Sequence, residues 1–274
     1  MKIVNYARKR LPIPKIQLPC KVIGFKCIDI SFLDRNAIVF LRRFCSIFDA
    51  FPINLSFNTN SNRILKFILR KLWPLIGKNI CGMHLFLNVF RSLRKLAPSI
   101  LNDCPTLRFV SYFADFFTEF PADDSAIASD GQAVAKWLFT ALPNNVPKVF
   151  KCELDKDVEN LASKFEAFKA AFTSASSPAN FIVVIWFRWS FPDSVRPFVL
   201  TNELTREQLA FKRTDYKNCF LLVRCPIVRE AIKWTKWEEE AIGWQMTKSA
   251  KGFSTQFPAR VIIRSEKNGL LRSD

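Results

Sequence analysis

The sequence predicts an α/β protein. Degenerate strand–helix repeats, stacked as a leucine-rich-repeat-like arc or an open sheet, lead into a C-terminal antiparallel β-meander covered by a Trp-rich helix. Three observations carry that expectation. Strand-like runs begin near residues 21, 53, 81 and 107, each followed by a helical pattern; units of that length bury one strand face under a helix and join in parallel. After Pro178 the rhythm changes to four strand-like runs with short connections, the signature of antiparallel pairing. Finally, Trp234, Trp237, Ala241 and Trp244 recur at intervals of three and four, which places them on one face of a helix.

The first region, residues 1–20, reads as an extended N-terminal segment, because the prolines of "RLPIPKIQLP" favour extended backbone. Over 21–177 the strand–helix repeats follow. "KVIGFKCIDIS" is a strand, and "DRNAIVFLRRFCSIFD" a helix that Asp34 caps. "INLSFN" alternates Leu55 and Phe57 with polar neighbours. In "SNRILKFILRKLWPLIGKNI", Pro74 should kink or shorten the last helical turn. "CGMHLFLN" and "LRFVSYF" are strands, separated by the helical "VFRSLRKLAPSILNDCPT". The helix "DGQAVAKWLFTAL", the strand "PKVFKCELD" and the helix "DVENLASKFEAFKAAFTSA" complete the region; Leu161, Phe165, Phe168 and Phe172 form a buried stripe on the last. The asparagine ladder of a strict leucine-rich repeat is absent.

Residues 178–274 contain the meander runs "NFIVVIWF", "RPFVLTNE", "EQLAFKRT" and "NCFLLVRCPI", with a tight-hairpin composition at "TNELTRE". The Trp-rich helix carries Lys233, Lys236, Glu239 and Glu240 on its other side, and Glu238 to Glu240 set it apart from a cationic membrane-surface helix. Val261 and Ile263 alternate in "ARVIIRSEKNGLL", which predicts an edge strand on the meander.

Composition limits the function classes. The 274 residues are 49% hydrophobic and include 28 Phe, ample for a core. The longest apolar run, "FIVVIWF", falls far short of the roughly 20 residues a membrane span requires. "MKIVNYARKRLPIPK" has no apolar segment behind its basic residues. The expected location is therefore cytoplasmic or nuclear, with no membrane partner. Eight cysteines without a C-x-x-C pair, and a single histidine, predict neither a metal nor a cofactor. The net charge of +17 is uneven: residues 1–110 hold 19 Lys/Arg against 4 Asp/Glu. A nucleic acid could meet that excess, although Arg63, Lys66 and Arg70 share one helix face of the kind that is usually solvated.

Candidate chemistry is sparse. Cys225 would need a base within hydrogen-bond reach, and His84 is the only histidine. Asp123–Asp124 is a possible carboxylate pair, but adjacent carboxylates before a helix more often cap it. There is no phosphate-cradling glycine loop and no nucleophile elbow. No catalytic residue is assigned, and an enzyme is not expected.

Several segments occur in an order that resembles the region downstream of the F-box in nematode F-box proteins. They are "RLPIP", "KVIGFKCIDISFLDRNAIVFLRR", "LWPLIGKNICG", "APSILNDCPTLRFV", "FPADD", "GQAVAKWL", "NFIVVIW", "LLVRCPI" and "KWTKWEEEAIGW". The resemblance implies the substrate-recognition part of an SCF-type ubiquitin ligase receptor, a protein-binding module whose target is another protein. It implies docking to a Skp1-type adaptor only where an F-box lies upstream, since "MKIVNYARKRLPIP" corresponds to a point past that element. The alternative expectation is a nucleic-acid-binding protein that uses basic residues 1–110.

The residues expected to contact a partner lie in "RWSFPDSV", between the first two meander strands. Arg188, Trp189 and Phe191 are types that dominate binding hot spots, placed on a loop.

Overall fold

The structure is a computed structural model that describes residues 2–4, 10–11, 25–30, 39, 52–57, 59, 61–115, 117–154, 160–188, 195–244 and 259–263. It is a mixed α/β protein with parallel and antiparallel strands, divided into two compact units: residues 1–80 with 249–274, and residues 81–248.

The first unit contains β1 (Lys2–Val4), β2 (Arg10–Leu11), β3 (Phe25–Ile30), β4 (Ile53–Phe57) and the last strand of the chain, β12 (Ala259–Ile263). Its strand order is β2-β1-β12-β3-β4, with β12 antiparallel to β1 and parallel to β3. The expected place for β12 was the edge of the C-terminal meander; it is instead an interior strand of this unit. Its consecutive Val261, Ile262 and Ile263 suit a strand with neighbours on both sides better than an alternating edge. The alternation expected in β4 is also replaced by burial throughout, Asn54 and Ser56 included.

After β4 comes α1 (Asn62–Phe67), a π-helical turn over Ile68–Leu72, and α2 (Trp73–Ile76). Leu65, Ile68, Leu72 and Ile76 are buried, while Arg63, Lys66 and Arg70 are exposed. The wide turn closes with the Trp73 N–H donating to the Ile68 carbonyl, one residue before Pro74. Proline supplies no N–H and crowds the preceding turn. The helix therefore widens ahead of Pro74, where the sequence suggested a kink or a shortened end.

The second unit holds β5 (Ile80–Phe86), α3 (Leu87–Arg94), β6 (Phe109–Asp115), α4 (Asp130–Leu138), β7 (Lys148–Leu154), α5 (Leu161–Thr173) and β8 (Phe181–Phe187). It continues with β9 (Phe198–Asn202), β10 (Glu207–Arg213), β11 (Cys219–Pro226) and α6 (Ala231–Gly243). Strand order is β5-β6-β7-β8-β11-β10-β9. The first four strands are parallel and consecutive; the last three pair antiparallel. The change of rhythm near Pro178 is thus no boundary, because β7 and β8 pair from Lys148–Phe181 to Leu154–Phe187.

The meander contains β9, β10 and β11, with β8 beside β11 instead of β9. Burial explains the choice. Six of the seven residues of "FIVVIWF" are buried, so β8 needs cover on both faces and strands on both sides, whereas β9 is half exposed and takes the edge.

Helices α3, α4 and α5 cover one face of this sheet. Phe90 of α3 meets Tyr112, and Phe139, just past α4, meets Phe181; in α5, Phe165 meets Phe211 and Phe168 meets Phe181. The opposite face carries α6. Trp234 and Ala241 are buried against Val149, Ile182, Val184, Leu221 and Val223, with Trp237 and Trp244 packed alongside. Trp244 stacks on Phe109 at 5.0 Å. The Lys151 ammonium donates to the Ile242 and Trp244 carbonyls at 2.8 and 2.9 Å, closing the C-terminal end of α6.

Candidate partner-binding rim

Parallel strands joined by helices on one face send all their strand-to-helix loops to one edge. In open α/β sheets that carboxyl edge is where crevices form. In the second unit it contains a cleft of about 390 Å³ lined by Leu87, Arg91, Phe117, Glu119, Ala128, Ser129, Asp130, Gly131 and Lys164.

Each polar side chain there is held by local structure. Ser129 caps α4: its hydroxyl accepts from the Gln132 N–H at 3.1 Å, while Gln132 Oε1 accepts from the Ser129 N–H at 2.8 Å. This is a reciprocal capping box, which satisfies two N–H groups that the first helical turn leaves open. Ser129 Oγ also donates to Glu119 Oε2 at 2.5 Å, and Glu119 Oε1 lies 3.8 Å from Lys164 Nζ. The carboxylate thus rests at the positive end of α4. It can do so because residue 131 is glycine: a Cβ there would come within 2.7 Å of Glu119 Cγ.

Asp130 accepts from Arg91 Nε at 2.9 Å and from Arg94 Nη1 at 3.2 Å. Arg94 is nearly buried and donates further to the carbonyls of Ser125 and Ala128, so one guanidinium braces the loop leading into α4. Arg91 is 63% exposed on its side chain and faces solvent at the mouth. The cleft therefore presents two cations and two carboxylates over an apolar floor of Leu87 and Phe117. Such a set can exchange hydrogen bonds with a partner's polar groups at little net charge.

Arg188 lies farther along the same edge, at the carboxyl end of β8. Its N–H donates to the Leu154 carbonyl at 2.9 Å and its Nε to Glu153 Oε1 at 3.1 Å. It is exposed. Trp189 and Phe191 lie outside the described residues. The rim thus includes one of the three residues expected to contact a partner. The cleft residues Arg91, Glu119, Asp130 and Lys164 went unnoticed in the sequence, where Ser129-x-x-Gln132 was the available signal of a helix start.

The remaining candidates are engaged in holding structure. Asp123 accepts from the Ser125 N–H and hydroxyl at 3.0 and 2.7 Å, and these bonds hold its carboxyl below the usual range. Asp124 accepts from Asn102 Nδ2 at 2.7 Å. His84 Nδ1 is 2.6 Å from Ser111 Oγ on the adjacent strand. Cys225 sits on β11, four strand spacings from β5, or about 19 Å. The Cys225–His84 pairing is therefore out of reach. Burial pushes the Cys225 thiol up, and Arg229 Nη1 lies 2.7 Å from its sulfur.

No family model, curated protein or solved structure matches this chain. Among the described residues no group of three or more His, Cys, Asp or Glu could hold a metal ion. No helix among them is long and apolar enough to cross a membrane.

Proposed function

We propose that the chain is a non-catalytic protein-binding module, resembling the substrate-recognition part of an F-box receptor, and that the rim of the second unit receives its target. The observation that carries this reading is the run β5-β6-β7-β8: consecutive parallel strands with α3, α4 and α5 on one face. Degenerate strand–helix repeats stack in this way, and they present their loops as one extended binding edge. The polar, nearly charge-balanced cleft suits a protein surface better than a phosphate backbone, which would demand an excess of cations.

The test is affinity capture from lysate with the full chain, compared with an Arg91→Ala, Lys164→Ala, Arg188→Ala variant. These side chains are partly or well exposed and their ion pairs contribute little to folding. The variant should lose the captured protein at unchanged melting temperature. A control, Lys236→Ala on the exposed side of α6, should keep it. Equal capture by all three proteins would sink the reading. Capture abolished by nuclease and by moderate salt would favour the nucleic-acid alternative, carried by basic residues 1–110.

A further inference from the structure

We propose that β9 is an interface between two copies of this chain, pairing antiparallel with β9 of the second copy across a two-fold axis. This inference is independent of the rim, which lies on a different side of the sheet.

Soluble proteins blunt their edge strands with charges, prolines or bulges, because an open edge is a template for another chain. β9 is the terminal strand of the second unit; Pro197 stands just before it, but no proline or bulge lies within it. Its five residues, "FVLTN", are uncharged, and they pair with β10 from Phe198–Phe211 to Asn202–Glu207 without a break in register. Val199 is 65% exposed and Leu204, just beyond the strand, 74%. Thr201 is exposed on the same face as Val199. The opposite face is occupied: Phe198 meets Phe165 of α5, and Lys169 Nζ lies 4.4 Å from the Phe198 ring centroid. Among the described residues, nothing pairs with the outer edge of β9 or covers its second face.

The occupant follows from the polarity of the flanks. Arg196 precedes the strand and Glu203 follows it; both are exposed, and neither forms an ion pair among the described residues. A second copy running antiparallel brings Arg196 of each chain to Glu203 of the other, twice over. A parallel alignment would set like charge beside like.

A two-fold axis normal to the sheet also keeps equivalent faces on the same side, so residues paired across it must be of the same parity. Centred on Leu200, this register places Leu200 against Leu200, Val199 against Thr201 and Phe198 against Asn202. Just outside the paired strands, Arg196 of each copy comes beside the turn that begins at Glu203 of the other. The result is a closed, isologous contact, the commonest form of oligomer.

The experiment is sedimentation velocity on the full chain over a range of concentrations, with three variants. The parent should sediment as a dimer. Val199→Lys with Thr201→Lys puts like charges directly opposite each other at exposed positions, and should sediment as a monomer with an unchanged melting temperature. Arg196→Glu alone should weaken the dimer, while Arg196→Glu with Glu203→Arg restores it, because the swapped pair is again self-complementary. A parent that stays monomeric to its solubility limit would overturn the proposal. So would a dimer that survives the double lysine variant, or a charge swap that fails to restore association.

Discussion

At the scale of single residues, the most buried ion pair among the described residues is Arg224–Glu207, with side chains 0% and 1% exposed. Arg224 Nε and Nη2 donate to Glu207 Oε2 at 3.0 and 2.6 Å, Nη2 also reaches the Ser177 carbonyl at 2.8 Å, and Glu207 Oε1 accepts from the Ala179 N–H at 2.9 Å. The guanidinium is flanked by the Phe139 and Phe172 rings. Arg224 Nη1 finds no partner, so the pair is imperfectly satisfied, and burial draws the Arg224 pKa down against the pull of Glu207. Removing one partner strands a charge where water cannot reach it. Glu207→Ala is expected to cost about 3–5 kcal/mol in chemical denaturation, whereas Arg224→Met with Glu207→Gln should recover most of that loss. A smaller effect is expected at Gly131. Alanine gains about 1 kcal/mol of helix propensity, but its Cβ would overlap Glu119, and such overpacking costs about 1–3 kcal/mol. Gly131→Ala should therefore be neutral to destabilising by up to about 2 kcal/mol. An increase in melting temperature would mean that Glu119 moves aside freely.

At the scale of elements, α6 is tied down by side chains along its C-terminal half. Lys212 Nζ donates to Glu238 at 2.6 Å, Arg108 forks onto Glu240 at 2.8 and 3.2 Å, and Lys151 closes the last turn. Its apolar side supplies most of the docking energy: Trp234 is 5% exposed, and Trp234→Ala should cost about 3–5 kcal/mol, read as a shift in denaturant midpoint. A loss under about 1 kcal/mol, the scale of a surface change, would show that α6 contributes little to the core. Trp234, Trp237 and Ala241 fall within α6, where 3.6-residue spacing is a local property, whereas Trp244, expected on the same face, lies just past the helix with extended backbone. Local spacing also made the α5 stripe legible, where Leu161, Phe165, Phe168 and Phe172 are all buried. The partner of β12 was not legible. Five residues of "ARVII" fit a β12–β3 ladder as well as a meander edge, and the choice depends on a strand more than two hundred residues away. Nor was the cleft legible, for it is assembled from α3, the loop before α4, and α5. Arg91, Glu119 and Lys164 carry no mutual spacing that a linear reading can detect.

At the scale of the whole molecule, buried titratable groups give stability a pH dependence with a turning point. Lys148 is 3% exposed and donates to the Trp137 carbonyl at 2.5 Å with the Trp137 ring beside it; burial draws its pKa down from 10.5 to about 7. Burial also lowers Lys151, to about 8. In the unfolded chain both stay protonated until about pH 10.4. As pH rises through 7 and 8 the native lysines release protons that the unfolded chain retains, so unfolding takes up protons and stability increases. The slope approaches about 1.4 kcal/mol per pH unit for each proton released. The cysteines act with the opposite sign. Burial raises Cys104, Cys152, Cys219 and Cys225 above their ordinary value of 9.0. Their contribution is complete below that value and is lost as unfolded thiols ionise above it. Stability should therefore climb from pH 6, pass through a maximum between pH 8 and 9, and fall beyond it. Urea unfolding at stepped pH measures the curve, with reductant present to keep the thiols free. Lys148→Met separates the two limbs. It should raise stability at pH 6 and flatten the ascent while leaving the descent above pH 9 in place. A parent curve that is level from pH 6 to 8, or an ascent unchanged in Lys148→Met, would show that the ammonium is hydrated in the native protein and that burial does not set its charge.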